Sequence, residues 1–295
     1  MIREYRTIWE ITDSLLTVKD VEGVTCGELA QILLSSGEIR TGKVLEAAYD
    51  QTVVEVFGST VGMNPAESKI RFLGHGQELG VSGDILGRIF NGMGQPVDGG
   101  PEILAEHYLD IHGAPVNPVA RERSLKLIQT GISAIDDERP LMRGQTLAIF
   151  SELGQSHASL VAQIAQETRA SGKNTDFAVV FAGIDISFEE SEHVVQELKR
   201  TGCIGRSACF ISLTDAPTGE QVAAPRMALT AAEYLAFEKD MHVLVILTDT
   251  TNYADPAALY ERAGCRKGKS GSITLLSVLT GPTHTNSLTD GQVTL

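Results

Sequence analysis

The sequence predicts an α/β protein preceded by a small β-barrel. Residues 1–75 are expected as the N-terminal barrel, and residues 76–295 as a parallel sheet with helices on both faces. Two observations carry this. The first 75 residues hold short β-prone runs at nearly regular spacing, punctuated by turn signals. From residue 146 onward, continuous apolar strands alternate with helical patterns, as in a sheet buried on both faces. A chain of 295 residues buries roughly 75% of its unfolded surface, so its core needs neither disulfides nor a metal.

In the first region, Thr17-Val18, Leu29–Leu33, Lys43–Glu46 and Val53–Phe57 are the strand runs. Glu22-Gly23, Ser35-Ser36-Gly37, Tyr49-Asp50 and Phe57-Gly58 break them. The run Leu86–Pro101 is rich in glycine and proline and reads as a connector. Thr146–Phe150 is then a buried strand, followed by a polar turn and a helix near His157–Arg169, with Leu160, Val161, Ile164 and Ala165 at helical spacing. Phe177–Ala182 is the next strand. Ser187-Phe188-Glu189-Glu190 is a capping box that starts a helix ending at Thr201-Gly202. Cys209–Leu213 is a third strand. Pro225 suits the first turn of a helix whose inner face carries Leu229, Ala232, Tyr234 and Leu235. Val243–Leu247 is a fourth strand and ends at Thr248-Asp249.

Composition narrows the function classes. Twenty-four Lys and Arg stand against 38 Asp and Glu, a net charge of −14, which repels phosphate backbones. Nucleic-acid binding is not expected. The apolar runs are far too short to span a membrane, and Met1–Tyr5 lacks the pattern of a secretory leader. A soluble, cytoplasmic protein is expected. Cys26, Cys203, Cys209 and Cys265 form no C-x-x-C pair, and the seven histidines no H-x-x-x-H pair. Neither a disulfide framework nor a metal site is expected.

In a parallel sheet, ligands bind beyond the carboxyl ends of the strands. Two features fall there. One is the strand-to-helix turn Ser151–Ser159, with Ser151, Gly154, Ser156, His157 and Ser159 at the positions of a phosphate loop. The other is Asp249, acidic after an apolar strand, where a nucleotide hydrolase would hold magnesium through water. A working phosphate loop needs two glycines, a lysine and a hydroxyl. This turn has one glycine, Gly154, carries Glu152, and has no lysine between Lys126 and Lys173. His157 is mostly neutral at pH 7. The turn is a degenerate phosphate loop, and autonomous ATP hydrolysis is not expected. Other residues take ordinary roles. Tyr234 is expected as a core aromatic, Glu189 and Glu190 as helix-start carboxylates, and Arg262 as a solvent-exposed helical arginine. Asp249 either binds magnesium or only keeps the acidic strand end of its fold.

The Leu86–Pro101 connector, the block Ile128–Asp136 and Arg143-Gly144-Gln145 resemble the rotary ATPases. Asp176–Ala182, Pro225–Glu238, Asp240–Asp249 and Thr251-Asn252-Tyr253 more narrowly resemble the B subunit of V/A-type ATPases. The resemblance implies a RecA-like, P-loop NTPase-type domain behind an N-terminal barrel. It implies a non-catalytic regulatory subunit that alternates with catalytic A subunits in a hexameric ring around a central rotor stalk. It also implies ATP synthesis or hydrolysis coupled to proton or sodium transport, without membrane insertion, and a place in the cytoplasm peripheral to the membrane. Such a subunit has no cofactor of its own, and ATP or ADP with magnesium sits at the boundary with its catalytic partner.

The chain departs from that pattern in four places. The Ser151–Gly154 turn is poorer in glycine. The segment from Tyr253 to Leu259 is short. Thr283–Gln292 is a worn form of the family's His-Pro and Thr-Glu-Gly-Gln segment. The sequence stops at Leu295, before the region expected to hold the donated arginine, so no residue here takes that role. A degenerate structural paralogue or fragment, and an independent nucleoside-triphosphate hydrolase, are the alternatives.

Overall fold

The computed structural model describes residues 3–5, 7–48, 50–151, 157–171, 177–248, 253, 256–280 and 291–294. The chain divides into two compact units, Met1–Glu78 with Pro217–Gly219, and Leu79–Ala216 with Glu220–Leu295.

The first unit is a seven-stranded antiparallel sheet. Its strands are β1 (Arg3–Tyr5), β2 (Ile8–Thr12), β3 (Leu15–Lys19), β4 (Leu29–Leu33), β5 (Ile39–Ala47), β6 (Gln51–Val56) and β7 (Lys69–Phe72), in the order β1-β7-β4-β5-β6-β3-β2. The two edge strands β1 and β2 are consecutive in the chain. In a flat sheet, six strand spacings of ~4.8 Å would hold them about 29 Å apart. Three Cα steps reach only about 11 Å. The sheet therefore curls, and the expected small barrel is a curled, barrel-like sheet. Alternate residues line its interior: Leu16 and Val18, Ala30 and Ile32, Val54 and Val56, Ile70 and Phe72 are all buried. Buried Glu28 ties two loops of this unit, accepting from the Thr25 amide at 3.1 Å and the Gly74 amide at 2.6 Å.

The second unit opens with β8 (Glu78–Val81), β9 (Ile89–Asn91), β10 (His107–Asp110), β11 (Arg121–Glu122) and β12 (Leu127–Ile128). Next come α1 (Ser133–Asp136), β13 (Leu141–Met142), β14 (Thr146–Ser151), α2 (His157–Ser171), β15 (Phe177–Ile186) and α3 (Phe188–Arg200). It closes with β16 (Ser207–Leu213), α4 (Thr218–Phe237), β17 (His242–Thr248), α5 (Pro256–Tyr260), β18 (Gly264–Arg266), β19 (Ser272–Thr280) and β20 (Gly291–Thr294). Seven strands run parallel in the order β20-β14-β19-β17-β15-β16-β9, and the antiparallel pair β11–β18 joins at the start of β19.

Alternation along these strands feeds two helical layers. Val179, Phe181, Leu244, Ile246, Leu276 and Val278 pack with Val161, Ile164, Val194 and Leu198 of α2 and α3. Ala178, Val180, Val243, Val245 and Leu275 pack with Met227, Leu229, Tyr234 and Leu235 of α4. The α/β sheet with helices on both faces is as expected.

Three local expectations are corrected. The connector Leu86–Pro101 supplies strand β9, which pairs parallel with β16. Phe90 is buried and stacks on Phe210 at 5.0 Å between centroids, so burial of one aromatic turns a glycine-rich run into a sheet edge. Pro225 lies inside α4 rather than in its first turn. The helix begins at Thr218, and the proline leaves the Gln221 carbonyl without its intrahelical donor. Burial of Ala223, Ala224, Met227 and Ala228 on either side of the proline outweighs that loss. Arg262, expected in solvent, is only 2% exposed; its Nε and Nη2 meet the carboxylate of Glu233 at 2.8 and 2.9 Å, which removes the penalty of burying a lone guanidinium.

Candidate functional site

The carboxyl ends of β14, β19, β17 and β15 form the edge at which an α/β sheet takes ligands. At β14 the last residue is Ser151, buried and paired in register with Thr280 of β19. The next helix, α2, starts at His157, and the free amides of a helix start favour an anion. Ser159 is exposed on its first turn. Gly154 and Ser156, with Glu152, lie outside the described residues, as does the His157 side chain. Ser151 thus closes β14 and Ser159 lies on the first turn of α2, on either side of residues 152–156.

A loop behind α2 holds that helix. Asp136 accepts from the Thr130 amide and hydroxyl, each at 2.9 Å, and from the Gly131 amide at 2.9 Å. Gln163 of α2 donates to the Gly131 carbonyl at 2.8 Å. Gly131 has φ +72, and a Cβ there would run into the Glu167 side chain, so only glycine lets the loop approach α2. The block Ile128–Asp136 carried only a resemblance in the sequence; its physical role is to fix α2.

Asp249 also lies outside the described residues. The strand before it ends at Thr248, whose Oγ1 accepts from the Ile184 amide at 3.2 Å and donates to the Ala182 carbonyl at 3.4 Å. This hydroxyl lashes the ends of β17 and β15 together. Five residues beyond Thr248, the Tyr253 hydroxyl accepts from Arg226 Nε at 2.6 Å and donates to the Val222 carbonyl at 3.3 Å. Arg226 of α4 therefore holds its guanidinium against Tyr253. Sequence reasoning missed it, and the separation of 27 positions hides the pair from any local pattern.

The remaining expectations fall away from this edge. Tyr234 is buried, with the Lys239 ammonium 5.4 Å from its ring centroid and Lys239 paired to Glu106 at 2.9 Å. Burial pushes the Tyr234 phenol up from its ordinary value. The Glu190 amide donates to Ser187 Oγ at 3.1 Å and caps α3. All four cysteines are free. Among the described residues no group of three His, Cys, Asp or Glu side chains could hold a metal, and no helix is long and apolar enough to cross a membrane.

Residues 131–257 match the family model for the ATP synthase alpha/beta family, nucleotide-binding domain. The matched stretch starts at Gly131, runs through β14, α2, β15, α3, β16, α4 and β17, and ends at the start of α5. It covers the carboxyl ends of β14, β15 and β17 and ends before β19. The match relates this stretch to the alpha/beta subunits of F-, V- and A-type rotary ATPases in general.

Proposed function

We propose that this chain is a B-like, non-catalytic subunit of a V/A-type rotary ATPase. It assembles with lysine-bearing catalytic A-type subunits into a hexameric ring around a rotor stalk, in the cytoplasm at the membrane. There it serves ATP synthesis or hydrolysis coupled to proton or sodium transport. The observation that carries this is chemical. The corner after β14 is the place where a nucleotide-binding sheet grips phosphates, yet residues 127–172 contain no lysine. The corner's sequence, Ser151-Glu152-Leu153-Gly154, has one glycine and an added negative charge. Such a donor set does not fit magnesium-ATP held by this chain alone, since the lysine and close backbone cradling supply most of the charge stabilisation. No catalytic step is assigned to its residues. ATP or ADP with magnesium is placed at the boundary with the catalytic partner, whose lysine completes the grip.

The test mixes the purified chain with a catalytic A-type subunit and follows assembly by size-exclusion chromatography with light scattering, alongside phosphate release. A mixed ring that hydrolyses ATP, from a chain that alone neither binds nor hydrolyses it, supports the reading. Magnesium-dependent hydrolysis by the isolated chain overturns it, as does a chain that stays monomeric with the A-type subunit present.

One observation favours a second reading, an assembled paralogue that couples nothing. Only residues 254 and 255 separate Tyr253 from α5, whose Leu259 and Tyr260 are buried in the core. The region that follows Tyr253 in the V/A-type B subunits is longer. Restored ion transport in a complex lacking its own B subunit excludes that reading.

A further inference from the structure

At the end of the sheet opposite the corner, before β14 and β19 begin, the charge of the surface reverses. Strands β11 and β18 pair antiparallel with Arg121 directly opposite Arg266, an arrangement in which like charges repel. Arg123 and Lys126 follow β11, Lys267 follows β18, and all three are exposed. Backbone bonds from Lys267 to the Ala120 carbonyl at 2.8 Å and from Arg143 to the Lys126 carbonyl at 3.0 Å hold these segments together. Arg143 is half-buried, and its Nε is shut off from water with no hydrogen-bond partner among the described residues. Burial pushes its guanidinium below the usual arginine range.

The contacts these cations do make leave their charge in place. Arg121 donates to the Val116 and Glu261 carbonyls at 3.3 and 2.7 Å, and Arg266 lies 4.5 Å over the Phe237 ring. Among the described residues, no ion pair involves Arg121, Arg123, Lys126, Arg143, Arg266 or Lys267. Glu122 is the one acid in 116–127 and 264–270, in a chain of net charge −14. A folded protein that keeps repelling arginines together and leaves a guanidinium nitrogen buried without an acceptor gives up stability at that place, which is the mark of a site built for something else.

We propose that this end of the sheet is a docking edge for an extended acidic segment of a partner protein. Carboxylates take the forked hydrogen bonds that arginines offer. Strand β11 is the last strand on its side of the sheet among the described residues, and because the Arg121 amide is already bonded to the Pro118 carbonyl, the segment is held through the side chains along this run. Val119, Leu125 and Leu127, at 79%, 86% and 56% exposure, flank the cations along the same run and fit apolar side chains of that segment. Nucleic acid fits less well, because 116–127 and 264–270 contain no aromatic on which a base would stack. A lipid surface fits less well, because the run is one 3-10 turn, Pro118–Ala120, followed by short strands, and lacks the amphipathic helix that lies in a membrane interface. The edge is independent of the nucleotide corner and of the ring assignment.

The test uses the full chain with poly-L-glutamate as probe at low salt, read by calorimetry, with an oligothymidylate and phosphatidylserine vesicles as parallel arms. Poly-L-glutamate is expected to bind most tightly. The triple variant Arg123→Glu, Lys126→Glu, Lys267→Glu is expected to lose about tenfold or more in affinity, as opposite-charge contacts become repulsive. Arg143→Gln, which reverses no charge, is expected to weaken binding by a smaller factor, and Lys199→Glu on α3 to leave it unchanged. Unfolding midpoints check that each variant folds, and Arg143→Gln decides the matter if the triple variant does not. Equal affinity in wild type and Arg143→Gln together with the triple variant overturns the proposal. So does tighter, patch-dependent binding to the oligothymidylate or to the vesicles, which assigns the edge to that class instead.

Discussion

Arg262 and Glu233 form a forked ion pair in the interior, two parallel hydrogen bonds of 2.8 and 2.9 Å. The arginine continues past it, donating to Thr230 Oγ1 at 2.9 Å and to the Ile111 carbonyl at 2.8 Å. One side chain, just after α5, thus fastens α4 and the segment that follows β10. A methyl on Gly113 would come within 2.5 Å of the same guanidinium, so the loop closes over it with no room to spare.

Removing one partner of that pair should therefore be severe. Glu233→Ala leaves a guanidinium at 2% exposure without its carboxylate, a loss of about 3–5 kcal/mol. Arg262→Lys should fail to recover it, since an ammonium cannot make the fork. Urea unfolding monitored by circular dichroism measures both. A change below about 1 kcal/mol for Glu233→Ala would mean that the pair behaves as if it were on the surface.

Gly271 sits against the end of α4. A Cβ there would lie on the Ala236 carbonyl oxygen and within 2.7 Å of the Met241 oxygen. Backbone atoms cannot step aside as a flexible side chain can, so Gly271→Ala should abolish folding or leave a strongly destabilised protein. Gly205, with no atom within 4 Å of its built Cβ and an unstrained φ, serves as the control. Gly205→Ala should stay within about 0.5 kcal/mol of wild type. Soluble yield and melting temperature compare the two.

These features differ in how visible they are in the sequence. The parallel sheet is legible because Val179, Leu244 and their neighbours form uninterrupted apolar runs whose two faces are both buried. Strand β9 is not, because three residues inside a glycine-rich run carry no period, and only contact with Phe210 makes Phe90 a strand residue. The burial of Arg262 depends on Ile111, 151 positions away, a separation that no window spans. At the candidate site the missing lysine is a fact of residue type and needs no structure. The Arg226–Tyr253 contact is tertiary and appears only in the fold.

The Arg88–Asp98 pair should give the protein a specific acid sensitivity. Arg88 Nε and Nη2 meet the carboxylate at 2.6 and 2.9 Å, and the amides of Ile89 and Gly100 add bonds of 3.1 and 2.9 Å. The guanidinium first, and then these amides, hold the Asp98 carboxyl well below its ordinary value. A carboxyl depressed in the folded state adds stability that is fully present above its unfolded pKa, near 4, and is lost as pH falls toward the folded value. Asp98→Asn should therefore be less stable than wild type at pH 7, with the gap narrowing below about pH 4. Denaturant titrations across that range measure it. A gap that stays constant with pH would show that the charge of Asp98 contributes nothing.

Thiol chemistry separates the cysteines by burial. Cys209 lies in β16 with no exposed surface, and burial pushes its thiol up to about 12, because a thiolate in an apolar interior lacks solvation. Cys26 is exposed in the curled sheet unit. The thiolate is the reacting species, so an aromatic disulfide reagent at pH 8 should label Cys26 in the folded protein and reach Cys209 only after denaturant is added. Mass spectrometry of tryptic peptides assigns each site. The labelling rate of Cys209 should follow the global unfolding equilibrium, because α3 and the neighbouring strands cover the face of β16 on which its thiol lies. Rapid native-state labelling of Cys209, at a rate that denaturant does not change, would mean that the centre of the sheet opens locally.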